Sequence, residues 1–161
     1  MCSIFSEVAQ YLSSQNFEIV SQDLLRPWGG FYVLNETQSD FFVAKFFASN
    51  HFIKVNESGK ISPKILMVAP GKRLSWQYHH RRAEIWKCIS GTVGVVTSHS
   101  DEEDKQIILK EGEYIQLQQG ERHRLMGLDT WGVIAEIWQH TDANNPSDED
   151  DIVRLQDDFG R

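Results

Sequence analysis

Two histidines, a glutamate and a glutamine are the residues of this chain whose spacing could hold a metal. Gln77 and His79 stand two apart, so on one strand their side chains share a face. Arg73 and Ser75 have the same parity. Glu84 has the opposite parity and joins them only if the chain turns over residues 80–83; Glu84, Trp86 and Cys88 then line one face of the next strand. His123 follows the Gln119-Gly120 turn in a second segment, residues 112–127. Two imidazoles, a carboxylate and an amide oxygen are a donor set for a divalent transition metal. Zinc is the first expectation, with cobalt, manganese, magnesium, nickel or iron compatible with the same donors. The imidazoles must be neutral and the carboxylate ionised, so binding should weaken in acid. His80 points the other way and is read as a non-ligand, while His51, His99 and His140 are expected to be solvated. No base is placed for Cys88, which reads as a small buried hydrophobe.

Basic residues gather around these donors: Lys72, Arg73, Arg81, Arg82, Arg122 and Arg124. The chain carries a net charge of −7, so the cluster runs against the overall trend. By parity Arg73 points inward, where a guanidinium is costly unless it meets an anion such as a phosphate or carboxylate. Arg73, Arg82 and Arg122 are therefore candidates for a bound anion. Lys72, Arg81 and Arg124 read as outward and solvated.

The elements that must position these residues are mostly short strands. Runs at 64–69, 74–79, 85–89, 92–97, 106–109, 114–117 and 131–138 are β-rich and separated by Pro-Gly, Ser-Gly, Glu-Gly and Gln-Gly pairs. Such spacing predicts an all-β sandwich or barrel. Ahead of it, Ile4, Phe5, Val8, Ala9 and Leu12 recur at helical spacing behind Ser3, a capping residue, which predicts a short N-terminal helix packed on the body. Residues 26–30 read as a turn, a strand starts at Phe31, and a short helix is expected over residues 40–48. The acidic stretch 142–151 leads into a tail that reads equally as a helical turn or an extended segment.

Length and composition set the bounds. At 161 residues the chain fits one domain and can bury roughly 70% of its unfolded surface. Its negative charge excludes nucleic acid and anionic membranes as partners for the molecule as a whole. Two cysteines without a CxxC exclude a disulfide framework, the first basic residue is Arg26, and the longest apolar run is too short to span a bilayer. A cytoplasmic location is expected.

The spacing is more specific than the residue types. Gly71, Gln77, His79, Glu84 and Gly91 fit the first cupin pattern, with Gln in the first His place. Gly112, Gly120 and His123 fit the second, with Gln118 in place of Pro and Gly127 in place of Asn. The expected architecture is thus a cupin, a double-stranded β-helix or jelly-roll barrel, at residues 26–161 behind a helical extension at 1–25. Further strings sharpen the likeness: Arg26-Pro27-Trp28-Gly29, Pro70-Gly71-Lys72-Arg73-Leu74-Ser75, Gln77-Tyr78-His79-His80, Arg82-Ala83-Glu84, Gly120-Glu121-Arg122-His123-Arg124-Leu125, and Glu149-Asp150-Asp151-Ile152-Val153-Arg154 through Asp158-Phe159-Gly160-Arg161. In this order they resemble the cupin half of type II phosphomannose isomerases.

That resemblance implies isomerisation of mannose 6-phosphate and fructose 6-phosphate in polysaccharide synthesis, with metal ligands at Gln77, His79, Glu84 and His123 and a catalytic arginine at Arg82. Many relatives carry a GDP-mannose pyrophosphorylase domain; no Gly-rich nucleotide loop occurs here, so nucleotidyl transfer is not expected. Ile85 and Trp76 differ from the family's His and Leu, and residues 36–62 form an insertion. The implied mechanism passes through a cis-enediol, with His80, a metal-bound hydroxide or Lys64 as open candidates for the base, and Arg73, Arg122 and Lys64 as substrate-binding residues. A homodimer is a fold-level analogy. Two other readings stand beside the isomerase: a non-catalytic module binding a sugar phosphate or nucleotide sugar, and an Fe(II) oxygenase, which a fourth protein ligand at Gln77 disfavours. An isomerase for another phosphosugar, such as a heptose phosphate, fits the same residues.

Overall fold

The computed structural model describes residues 3–48 and 60–161. Helix α1 (Ile4–Ser14) starts where the Ser3 hydroxyl accepts a hydrogen bond from the Ser6 amide at 3.2 Å. Strands β1 (Ile19–Arg26) and β2 (Gly29–Leu34) form a hairpin, followed by helix α2 (Ser39–Phe46) and strand β3 (Lys64–Val68). Then come β4 (Trp76–Tyr78), β5 (Arg82–Ser90), β6 (Thr92–Ser98), β7 (Lys105–Lys110), β8 (Tyr114–Leu117), β9 (Arg122–Gly127), β10 (Gly132–His140) and β11 (Val153–Gln156). They build a six-stranded sheet in the order β1-β2-β3-β10-β5-β8 and a five-stranded sheet in the order β11-β4-β9-β6-β7. All pairings are antiparallel.

Alternation along the strands builds two cores. Leu66 and Val68 of β3, Trp86 and Cys88 of β5 and Ile134 of β10 pack against Val93, Val95 and Leu125 of the other sheet. The intervening residues Ile65, Met67, Ile85, Val133, Ala135 and Ile137 face outward, where Val8 and Leu12 of α1 and Phe42 and Phe46 of α2 cover them. Burying such a side chain stabilises by about 1.5–3 kcal/mol, so the helices are structural partners of the sheet. The six-stranded sheet is covered on both faces, which is why its central strands carry apolar residues on both sides, interrupted by the charged residues of the site.

The sheet begins at Ile19, upstream of residue 26, where the sequence placed the start of the β-domain. The tail takes the extended form, with β11 pairing with β4. Among the described residues no helix is long and apolar enough to cross a membrane. Cys2 and His51 lie outside the described residues.

Candidate metal centre

The β4–β5 connection turns at His80 and Arg81, which brings Glu84 of β5 back against His79. Register opposes Gln77 of β4 to His123 of β9. One ligand atom each from His79, Glu84 and His123 falls within 4.8 Å of the others, and all three side chains are 1–2% exposed.

Each imidazole is oriented by a backbone carbonyl. His79 Nδ1 donates to the Asp151 carbonyl at 2.7 Å, and His123 Nδ1 donates to the Glu121 carbonyl at 2.9 Å. In the neutral rings this leaves both Nε2 lone pairs turned toward Glu84. Glu84 Oε1 lies 3.1 Å from His79 Nε2, and Oε2 lies 3.7 Å from His123 Nε2. Glu84 Oε2 and His123 Nε2 are buried without any hydrogen-bond partner. Buried lone pairs facing one another are unfavourable unless a cation lies between them, and donors about 2.0–2.2 Å from one divalent ion stand at such separations. The residues present therefore fit a metal.

Their ionisation fits as well. Burial pushes the His123 pKa down to about 4, with the opposing pull of Glu84 too weak to restore it, so the ring is neutral at pH 7. For Glu84 burial disfavours the charge, but His79 when protonated, and the permanent charge of Arg82, outweigh it and hold the carboxyl well below its usual range. Neutral imidazole and ionised carboxylate are the metal-binding forms.

Beside the donors lies a cavity lined by Gln77, Glu84 and five cations: Arg26, Lys64, Arg82, Arg154 and Arg161. Arg82 is buried and fixed from every side. Its Nε donates to Glu84 Oε1 at 2.8 Å, Nη1 to Ser147 Oγ and the Asp148 carbonyl at 2.9 Å each, and Nη2 lies 3.3 Å from His79 Nε2. Its guanidinium stacks 3.7 Å from the Trp138 ring centroid. Lys64 lies over Trp138 and pairs with Glu149. Glu136 also lines the cavity, buried, and burial with the nearby Glu84 charge pushes its carboxyl up to about 7 against Lys64 and Arg82.

Residues 44–157 match the family described as Mannose-6-phosphate isomerase C-terminal. The chain belongs to that family. It is 34% identical over 127 residues to alginate biosynthesis protein AlgA of Pseudomonas aeruginosa, covering 79% of this chain and 24% of the relative. It is 35% identical over 98 residues to xanthan biosynthesis protein XanB of Xanthomonas campestris pv. campestris, covering 61% and 19%. A mannose-1-phosphate guanylyltransferase of Sinorhizobium fredii is 29% identical over 134 residues, 83% of this chain and 20% of the relative. The chain thus spans a quarter or less of these relatives' length. In fold it is similar to the capsular polysaccharide assembling protein CapF from Staphylococcus aureus, with TM-score 0.55 and 20% identity over 84% of this chain and 34% of that one. Tomato vicilin gives TM-score 0.55 at 16% identity over 87% and 34%. The architecture is a cupin.

Within this mannose-6-phosphate isomerase C-terminal domain, Gln77, His79, Glu84, His123, Arg82 and Lys64 come together. Arg73, Arg122 and His80 lie outside the cavity lining. The inward parity of Arg73 does not hold: β4 begins only at Trp76, and Arg73, in an isolated bridge to Met126, turns to Asp158 with bonds of 2.6 and 2.9 Å. Arg122 pairs with Asp101 and stacks on Tyr78, 3.9 Å from the ring centroid. His80 is exposed, edge-on to Tyr78. Arg124 is not solvated but buried, bonded to the Leu74 carbonyl, Glu103 and Gln156. His140 is half-buried, its Nδ1 accepting from the Ser147 amide, whereas His99 is exposed. Cys88 is buried, which pushes its thiol up to about 11.

Sequence reasoning missed Arg26, Glu136, Trp138, Arg154 and Arg161 as site residues. A signal for Glu136 was present: it is the one charged residue of the strand run 131–138.

Proposed function

We propose that this domain is a metal-dependent aldose–ketose isomerase of sugar phosphates, acting on mannose 6-phosphate and fructose 6-phosphate. The observation that carries this reading is the buried His79, Glu84 and His123 donor set, with His123 Nε2 and Glu84 Oε2 unpartnered, beside a cavity lined by five cations. The family description and the polysaccharide-related names of the relatives support it. Gln77 completes the proposed ligand set, and zinc suits a site of two imidazoles, one carboxylate and one amide. A bound divalent ion would supply Lewis-acid stabilisation of negative charge on the sugar's carbonyl oxygen.

The chain's own residues do the rest. Arg82, fixed by Glu84, Ser147, Asp148 and Trp138, offers positive charge that needs no reorganisation as enediolate charge develops. Arg154 lines the cavity with Arg26 and Arg161, which pair with Asp23 and Asp157, and these guanidinium groups would hold the phosphate. Lys64 lines the same cavity, its ammonium over the rings of Phe31 and Trp138.

A proton NMR time course in heavy water tests the reading. Metal-supplemented protein is mixed with mannose 6-phosphate and, separately, with heptose and other hexose phosphates. Conversion to a ketose phosphate with deuterium entering the sugar is expected. Metal-loaded protein that binds these sugars without conversion or exchange would instead be a non-catalytic binding module.

A further inference from the structure

Glu136 is a buried carboxylate to which the scheme above gives no task. It stands in the middle of β10, on the face turned to the cavity. Its register partners are Lys64 of β3 and Trp86 of β5, so the three form one polar row across three strands. One row on, Trp138 of β10 opposes the ligand Glu84. Glu136 is therefore the diagonal cross-strand neighbour of a metal ligand, about 7–8 Å away between backbones. Both carboxylates line the same cavity. The next row, Leu66, Ile134 and Cys88, is apolar and closes the site below.

The carboxylate is held from two sides. Trp86 Nε1 donates to Oε2 at 2.8 Å, and Trp138 Nε1 donates to Oε1 at 3.1 Å. Each oxygen accepts one indole N–H and keeps a second lone pair. A rigid carboxylate with free acceptor capacity, facing a cationic cavity and one strand away from the ligand set, has the geometry of an acid–base catalyst. Lys64, Arg82 and Glu84 are the charged groups that act on it.

We propose that Glu136 is the general acid–base of the isomerisation, carrying the proton between C1 and C2 of the sugar phosphate; this rests on the isomerase reading. The Glu136 carboxylate takes the proton from C2 of the aldose. The C–H electron pair becomes the C1–C2 double bond, and the C1 carbonyl pair moves onto O1 to give the enediolate. The proton of the C2 hydroxyl passes to O1. The resulting pair on O2 forms the C2 carbonyl, and C1 takes back the proton from the Glu136 carboxylic acid. Nothing is oxidised or reduced overall, and Glu136 ends as it began.

The test compares the parent with Glu136→Gln, which keeps the shape and removes the proton carrier. Metal content, KM, kcat and deuterium entry from heavy water are measured together. The expected result is unchanged metal content, KM within about threefold, and kcat and deuterium entry both reduced at least about hundredfold. A metal-loaded Glu136→Gln variant within about fivefold of the parent would overturn the assignment and leave the isomerase reading intact. Loss of activity in step with loss of metal would make Glu136 a structural residue and overturn it too. A metal-loaded parent without turnover or exchange overturns the isomerase reading, and this assignment with it.

Discussion

Burial acts on His123 and Glu136 in opposite directions, because it always disfavours the charged form. The imidazole goes down to about 4 and is ready for a metal; the carboxyl goes up from 4.5 to about 7. The consequence for stability has a definite sign. The folded value of Glu136 lies above its unfolded one, so its contribution is complete below about 4.3 and is lost as the pH rises through about 7. Lys64 and Arg82 oppose the shift and Glu84 adds to it. In chelator-treated protein, the melting temperature of Glu136→Gln minus that of the parent should therefore grow more positive from pH 5 to pH 8. Paired thermal melts across that range check this, and a pH-independent difference would refute it. The donor set was legible in the sequence because Gln77, His79 and Glu84 lie on one short segment and their spacing is itself a pattern. Glu136 could be singled out as the lone charge in an apolar run, but its setting could not, because Lys64 and Trp86 reach it only by pairing of β10 with β3 and β5.

At the scale of the element, the strands with apolar sequence were readable nearly to their ends: β3 was expected over 64–69 and runs Lys64–Val68, and β8 was expected over 114–117 and runs Tyr114–Leu117. Strands β1, β9 and β11 escaped because polar and charged side chains dominate or interrupt them, leaving no clear strand pattern. In β9, Arg124 is a fully buried cross-link that single-sequence reading assigns to solvent. The end of the same strand also explains a departure from the cupin pattern. Gly127 stands where the pattern has Asn, and a Cβ there would lie 1.9 Å from the Ala69 carbonyl oxygen. The Gly127 amide donates to the Lys72 carbonyl at 2.7 Å, which holds the two backbones together. Gly127→Asn, although it restores the pattern, should cost about 3 kcal/mol, the upper end of the usual overpacking range, a fall of roughly 6–12 °C in melting temperature for a chain of this size. A variant melting within a couple of degrees of the parent would show that the strand can move aside.

Across the whole molecule, the acidic tail is the counterpart of the basic cluster. The Asp151 carboxylate accepts from the His80 and Arg81 amides at 2.9 and 3.0 Å and from Ser147 Oγ at 2.6 Å. Its backbone carbonyl is the one that orients His79. Beyond it, Glu149 pairs with Lys64, Asp148 with Arg81 and Asp158 with Arg73, while β11 closes the edge of the five-stranded sheet. Attraction between the basic residues and these carboxylates accounts for much of a cluster that the sequence alone suggested was kept for an external anion. The tail and the metal centre are thus linked through one residue. Asp151→Ala removes the side-chain anchors and lets the carbonyl move, so the ligand His79 loses its fixed orientation. Groups that orient metal-bound histidines typically change affinity by about 10–100-fold. The expected outcome is a metal dissociation constant weaker by about that factor in competition with a chelator, together with faster hydrogen exchange in β11 of the metal-free protein. Metal at about 100 times its dissociation constant should stabilise the parent by about 2.7 kcal/mol and should do nothing for His79→Ala. Unchanged affinity in Asp151→Ala would mean that the strands alone hold the ligands and that the tail only covers them.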